Sequence, residues 1–181
     1  LANPFELRHG RRYLRDVPYP LPCDLSEIHR QNLRTLLGCT VFLKPSCAPE
    51  VAKNVPKRVL ELGCGSAYWT STCHEWFTSL GHPNVEFTGL DVAPLAPDLK
   101  SRGVNWKFVQ FDYAAFDFVM VKDLSLTVEM GVQSQGFIEE TLRILAKNGT
   151  FEIWESDHVL RCLLPEPPFP RGTTADEEQT A

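Results

Sequence analysis

RVLELGCGSAYWT, residues 58–70, is the stretch around which the rest of the chain can be placed. Val59 and Leu60 form a short apolar run that ends at the acid Glu61; Gly63 and Gly65 flank Cys64, and the aromatic pair Tyr68 and Trp69 follows. A run of that length, closed by an acid and then by glycines, predicts a buried parallel strand, a turn where backbone approaches a ligand closely, and a helix. The arrangement suits a nucleoside.

Two kinds of nucleotide ligand compete for this pattern, and the acid separates them. A dinucleotide fingerprint needs a third glycine at the sixth position of G-x-G-x-x-G, where the helix opens under a pyrophosphate. That position is Tyr68, whose bulk crowds a diphosphate, and Glu61 repels one, which counts against a nicotinamide-linked reductase. An acid at the strand end instead suits a cationic ligand such as the amino acid moiety and sulfonium of S-adenosylmethionine. The residues resemble motif I of class I methyltransferases, E/D-x-G-x-G-x-G, with Glu61, Gly63 and Gly65 in place and Ala67 at the position of the last glycine. Alanine is a mild departure there, provided the position does not need a positive φ.

A second acid lies at the right separation. NVEFTGLD, residues 84–91, reads as a strand ending in Asp91, far enough beyond Glu61 for one helix and one turn, as a βαβ unit requires. An acid at the end of a second strand can accept both hydroxyls of a ribose. NWKFVQF, residues 105–111, predicts a third strand with Asp112 just past its end, and FDFVMV, residues 116–121, a fourth that is apolar throughout and therefore interior. Only Tyr113-Ala114-Ala115 separate Asp112 from Phe116, too little for the crossover between parallel neighbours, so the expectation is a loop from which residues are absent. An amphipathic helix is predicted over 134–146, with Phe137, Ile138, Leu142 and Leu145 on one face. Lys147-Asn148-Gly149 then supplies a left-handed turn, and TFEIWE, residues 150–155, is a fifth strand.

The predicted fold is therefore α/β, a mostly parallel Rossmann-like sheet with helices on both faces. Three segments divide the chain: an N-terminal extension and helix over 1–57, the ligand-binding core over 58–155, and a proline-rich, then acidic tail over 156–181. The tail is too short to finish a class I sheet, so C-terminal strands are expected either from a partner or from chain beyond this sequence. In the extension, residues 1–17 are locally basic, and Pro18-Tyr19-Pro20-Leu21-Pro22 imposes an extended path. Asp24 with Glu27 has capping-box spacing for a helix over 25–37, its apolar stripe formed by Ile28, Leu33, Leu36 and Leu37 and its end set by Gly38.

With 181 residues, 43% hydrophobic and 23% charged, the chain is long enough for one domain with its own core. No apolar run reaches the roughly 18 residues of a membrane span. A formal charge of −5 argues against a bulk nucleic-acid binder, which needs a basic face. Six cysteines show neither C-x-x-C nor matching histidine spacing, so no metal site is expected and reduced thiols point inside the cell, to cytoplasm or nucleus.

Several of these pieces together resemble the fungal LaeA-like methyltransferases. His9-Gly10-Arg11-Arg12-Tyr13 and Tyr19-Pro20-Leu21-Pro22-Cys23-Asp24 are similar to the G-R-x-Y and Y-x-L-P-x-D segments before that family's first helix. GCGSAYW is similar to its G-T-G-T-G-I-W, FDFVMVKDLS to F-D-F-I-x-x-R-x-L-S, and LRILAKNGTFEIWE to R-V-L-K-P-G-G-W-L-E-x-x-E. The resemblance covers most of residues 9–155. It implies S-adenosylmethionine as cofactor and S-adenosylhomocysteine as product. Cofactor contacts are implied at Glu61, Gly63, Cys64, Gly65, Asp91, Val92, Asp112, Tyr113 and Lys122, with Tyr13 closing over the methyl donor. It also implies a small-molecule or protein methyl acceptor and association with regulatory proteins. Ala67, and Lys122-Asp123 where the family commonly has Arg and an aromatic, are departures.

Methyl transfer from a sulfonium needs in-line positioning, desolvation and, for some acceptors, a base. Asp123, after the fourth strand where acceptors are usually presented, is the candidate base, with His9, His29, His74 and His158 behind it. No Asp/Asn-Pro-Pro-Tyr and no Pro-Cys follows that strand, which counts against amino methylation of adenine or glutamine and against a cytosine C5 thiol mechanism. A non-catalytic subunit that keeps the fold to bind a protein partner is the alternative.

Overall fold

The computed structural model describes residues 5–15, 19–109, 116–125 and 132–155. The chain opens with a hairpin that sequence reasoning missed: β1 (Phe5–Arg8) pairs antiparallel with β2 (Arg11–Leu14), forming a sheet of its own. His9 and Gly10, both at positive φ, make its two-residue turn. Arg12 donates from Nε to the Cys23 carbonyl at 2.8 Å, and Leu14 packs with Cys23 and Ala93, which fastens the hairpin to the core.

Helix α1 (Leu25–Phe42) begins where the capping spacing predicts, with the Glu27 amide donating to Asp24 Oδ1 at 3.1 Å. Its end and its facing both differ from expectation. The helix continues through Gly38 to a left-handed cap at Leu43. Gly38 marks a close crossing, because a Cβ there would stand 2.8 Å from the Trp154 ring. Of the expected apolar stripe, Leu33, Leu36 and Leu37 face outward, Leu33 and Leu37 about two-thirds exposed, while Ile28 turns inward and Glu27 and Thr35 are buried. A turn of helix, α2 (Pro49–Lys53), leads to the main sheet.

The core then runs β3 (Arg58–Leu62), α3 (Tyr68–Ser79), β4 (Glu86–Leu90), a single 3-10 turn (Leu99–Arg102), β5 (Asn105–Val109), β6 (Phe116–Lys122), α4 (Val132–Ile144) and β7 (Leu145–Trp154). Residues 110–115, on which the expectation of a shortened loop fell, lie outside the described residues. Strand order is β5-β4-β3-β6-β7 and every pairing is parallel. The chain thus builds outward from β3 to one side, then restarts beside β3 on the other. That reversal opens a crevice at the C-terminal ends of β3 and β6, the place where open α/β sheets bind ligands.

Alternation along the strands sends successive side chains to opposite faces. Val59, Phe87, Phe118 and Met120 meet Trp69, Cys73 and Phe77 of α3 on one face; Leu60, Leu62, Val119 and Val121 meet Phe137 and Ile144 of α4 on the other. Trp69 is fully buried, as a core role requires, and its Nε1 donates to the Pro45 carbonyl at 2.7 Å. The left-handed turn expected before the fifth strand is absorbed into it. Asn148 has φ 65°, and the β6 ladder jumps from Phe116↔Leu145 to Phe118↔Thr150. No helix among the described residues is long and apolar enough to cross a membrane.

Candidate functional site

A cavity of ≈ 330 Å³ occupies the crevice between α1 and the C-terminal ends of β3, β4 and β6. Its floor is the glycine loop. The amides of Gly63 and Cys64 both donate to the Leu90 carbonyl, at 2.8 and 3.1 Å, which ties the loop to the end of β4. Gly63 (φ 67°) and Gly65 (φ 50°) lie in the left-handed region that glycine takes without steric cost, and both approach neighbours closely. A Cβ on Gly63 would meet Leu124 at 2.6 Å, and one on Gly65 would meet Gln31 Oε1 at 3.1 Å. Cys64 presents backbone here while its buried thiol packs toward Gly89; burial pushes that thiol far above the ordinary range, so it is no nucleophile.

Ala67 corrects the view that alanine is a mild substitution. It sits at φ 55°, ψ 29°, so the last motif position does need a positive φ.

Asp91 stands just past β4 on the cavity wall. The Gly65 amide donates to its Oδ2 at 2.7 Å and the Ala93 amide to its Oδ1 at 2.8 Å. An ionised carboxylate has about four acceptor sites, so acceptor capacity is left over for a donor in the cavity. Burial raises its pKa above the usual aspartate value, only partly offset by the Ala93 and Gly65 amides. Donors from a ligand would favour its ionised form.

Glu61 is placed under the loop instead of on the wall, which corrects the expectation that it meets a cationic ligand directly. It is 1% exposed, and its Oε2 accepts from the Thr70 amide and hydroxyl at 3.2 and 2.7 Å. Its Oε1 pairs with Lys122 Nζ at 2.8 Å. Lys122 also lines the cavity, with its ammonium drawn to Glu61, so the charge beneath the loop is neutralised. Asp123 reaches the cavity at φ 56° but is ion-paired with Arg34, and its amide donates to the Trp154 carbonyl at 3.0 Å.

The remaining expectations divide. Val92 lines the cavity. Tyr13 does not; it lies on the hairpin, with the Arg8 guanidinium 5.2 Å over its ring. His9 forms the hairpin turn and neither His29 nor His74 is on the cavity wall, while Asp112, Tyr113 and His158 lie outside the described residues. No group of histidine, cysteine and acid side chains suited to a metal ion occurs among the described residues.

Sequence reasoning missed the roof. Glu27, Gln31 and Thr35 of α1, spaced i, i+4 and i+8, turn one polar face to the cavity. Burial works against the Glu27 charge, but hydrogen bonds from Arg30 (2.9 and 2.6 Å) and Gln31 (3.0 Å) outweigh it and hold its pKa below the usual glutamate value. Ser66 donates to Asn32 Oδ1 at 2.6 Å, joining roof to floor. Tyr19 also lines the space. Burial, then the Asp91 charge, push its phenol up to about 12, leaving it a neutral hydroxyl.

No family model and no curated protein matches the chain. Solved structures do. The plantazolicin methyltransferase BpumL in complex with SAH is 16% identical with a TM-score of 0.52, over 71% of this chain and 51% of that one. The N-methyltransferase NodS from Bradyrhizobium japonicum WM9 (20% identity, TM-score 0.46) matches over 71% of this chain and 66% of its own. The SAH-bound Podospora anserina methyltransferase PaMTH1 (19% identity, TM-score 0.45) matches over 74% and 62%. The chain spans about half the length of BpumL. Its fold is the Rossmann-like α/β fold of the class I methyltransferases.

Proposed function

We propose that this chain is the cofactor-binding part of an S-adenosylmethionine-dependent methyltransferase acting on a small molecule or a protein side chain. The observation that carries the reading is Asp91. Two backbone amides fix its oxygens beside a loop whose glycines admit close approach, and acceptor sites are left over for the hydroxyls of a ribose. The residues fit the cofactor in charge as well. Gly63, Cys64 and Gly65 offer backbone to its middle, Val92 and Tyr19 flank the nucleoside side, and Lys122, backed by Glu61, meets the carboxylate of its amino acid end. Asp112 and Tyr113 remain proposals drawn from the sequence for the adenine. Bound there, the cofactor would supply an electrophilic methyl group for the lone pair of an acceptor.

The setting that goes with this reading is a LaeA-like protein inside a fungal cell, in cytoplasm or nucleus, working alongside a regulatory protein. A second reading, a non-catalytic subunit that binds a partner, is favoured by the apolar stripe that α1 turns outward. Turnover separates them. The protein is incubated with S-adenosylmethionine and pools of fungal small molecules or proteins, and S-adenosylhomocysteine is measured by mass spectrometry. Acceptor-dependent product that Gly65→Val abolishes is the expected result; cofactor binding with no product from any pool supports the second reading.

A further inference from the structure

A second space adjoins the first. A groove of ≈ 470 Å³ runs between α1 and β7, and Arg34, Thr35, Lys122 and Asp123 line both it and the cavity over the glycine loop. The Arg34–Asp123 ion pair is therefore a shared wall. Away from that wall the lining carries Glu152, Glu155 and Cys47 among apolar side chains. Phe42 and Trp154 lie with ring centroids 5.3 Å apart at 49°, and Leu37 and Val41 continue the surface along α1. The Trp154 ring is held from two sides, against Gly38, where no side chain intervenes, and by its Nε1 donating to Glu152 Oε1 at 2.7 Å.

Glu152 decides which end of the groove is polar. It is 9% exposed, and besides Trp154 it accepts from the Ser46 hydroxyl at 2.7 Å and the Cys47 amide at 2.6 Å. With these three donors and the Ala48 amide at 3.4 Å closing on it, this carboxylate is occupied by its own chain. Glu155 is engaged likewise, by the Leu124 and Ser125 amides, so the Arg34–Asp123 pair marks the polar wall and Phe42 and Trp154 the aromatic one.

We infer that this groove is the acceptor chamber of the site and takes a flat aromatic molecule with a hydroxyl or amine at one end. The aromatic body lies against Phe42 and Trp154, and the polar end points to the Arg34–Asp123 pair, toward the first cavity. The volume is that of a small-molecule pocket, and a ligand there covers apolar surface of Leu37, Val41 and Phe42 that is otherwise exposed. Offset and edge contacts with two rings favour a planar π-system over a saturated skeleton of equal size. The inference rests on the reading of the first cavity as the methyl-donor site, and the experiment keeps the two apart.

The probes are 2-naphthol and its saturated analogue decahydro-2-naphthol, titrated by tryptophan fluorescence and by NMR with S-adenosylhomocysteine present, whose own affinity is measured separately by calorimetry. Val41→Trp fills the groove from an exposed position that does not line the first cavity. Leu36→Trp makes a like change on the same helix, outside the groove. The expected result is that 2-naphthol binds the wild type, about tenfold or more weaker to Val41→Trp, unchanged to Leu36→Trp, and about fivefold tighter than the saturated analogue, with S-adenosylhomocysteine affinity equal in all three proteins. Binding of S-adenosylhomocysteine without 2-naphthol, or 2-naphthol binding that Val41→Trp leaves intact, overturns the chamber alone. Equal affinity for the two probes overturns the aromatic assignment. Binding of 2-naphthol without S-adenosylhomocysteine overturns the donor site and, with it, the acceptor role.

Discussion

Ala67 holds a backbone conformation that costs an L-residue roughly 1–2 kcal/mol, and it does so where the loop turns into α3. Glycine there would relieve that cost but lose a buried methyl worth about 0.8 kcal/mol and some chain entropy. Ala67→Gly is therefore expected to change stability by less than about 0.5 kcal/mol in denaturant melts, whereas Ala67→Val, branched and fully buried, should cost about 2 kcal/mol or more. The Glu61–Lys122 pair is a stronger constraint, because both partners are nearly inaccessible. Lys122→Met leaves Glu61 without its counter-charge and should cost about 3–5 kcal/mol, much of it recovered in the Glu61→Gln/Lys122→Met double variant; a loss no larger than that of a surface substitution would contradict a buried pair. Asp91 adds a pH dependence. Its folded pKa is raised by burial, so the folded protein holds the proton more tightly than the unfolded chain, and Asp91 subtracts stability as pH rises from the unfolded value through the folded one. Ribose hydroxyls favour the ionised form, so S-adenosylhomocysteine affinity should rise with pH across that window, and calorimetry of Asp91→Asn should find the rise gone.

At the scale of elements, α1 is folded with its polar face inward. Ordinary amphipathic logic assigns Leu33 and Leu37 to the core, yet they are exposed and Glu27 and Thr35 are not. A helix that roofs a polar ligand site turns to it the face that can hydrogen-bond. Leu33→Lys and Leu37→Lys are accordingly expected to shift stability by no more than about 0.5 kcal/mol, and Thr35→Arg, which forces a charge into a buried position, by about 2 kcal/mol or more; thermal melts that reverse this order would contradict the facing. The period of the helix was legible in the sequence, but its facing was not, since the apolar and polar stripes are both continuous and only the neighbours choose between them. The strands were legible from the run at 59–61 and from 116–121, each within a residue or so of the observed ends, because strands buried on both faces read as apolar runs. The β1–β2 hairpin was not, because its strands are four residues long and their arginines break the alternation. Gly38 was misread as a stop for a related reason: close packing against Trp154 and helix termination both call for a residue without a side chain.

At the scale of the molecule, the order β5-β4-β3-β6-β7 brings Asp91, the glycine loop and Lys122 to one edge of the sheet, although they are far apart along the chain. Adjacent strands lie about 4.8 Å apart, so the ends of β4 and β6, on either side of β3, stand about 10 Å from each other. The place of Asp91 beside the glycine loop was legible in the sequence as a βαβ unit between Glu61 and Asp91. The Glu61–Lys122 pair was not, because the two residues meet only through the β3–β6 ladder. The most direct measurement is isothermal titration of S-adenosylhomocysteine into the wild-type chain, Asp91→Ala and Gly65→Val, each shown by circular dichroism to be folded. One-to-one binding to the wild type, lost in both variants and absent for the dinucleotide NADH, is the expected result. No binding to the wild type, or binding that survives both substitutions, would contradict the site.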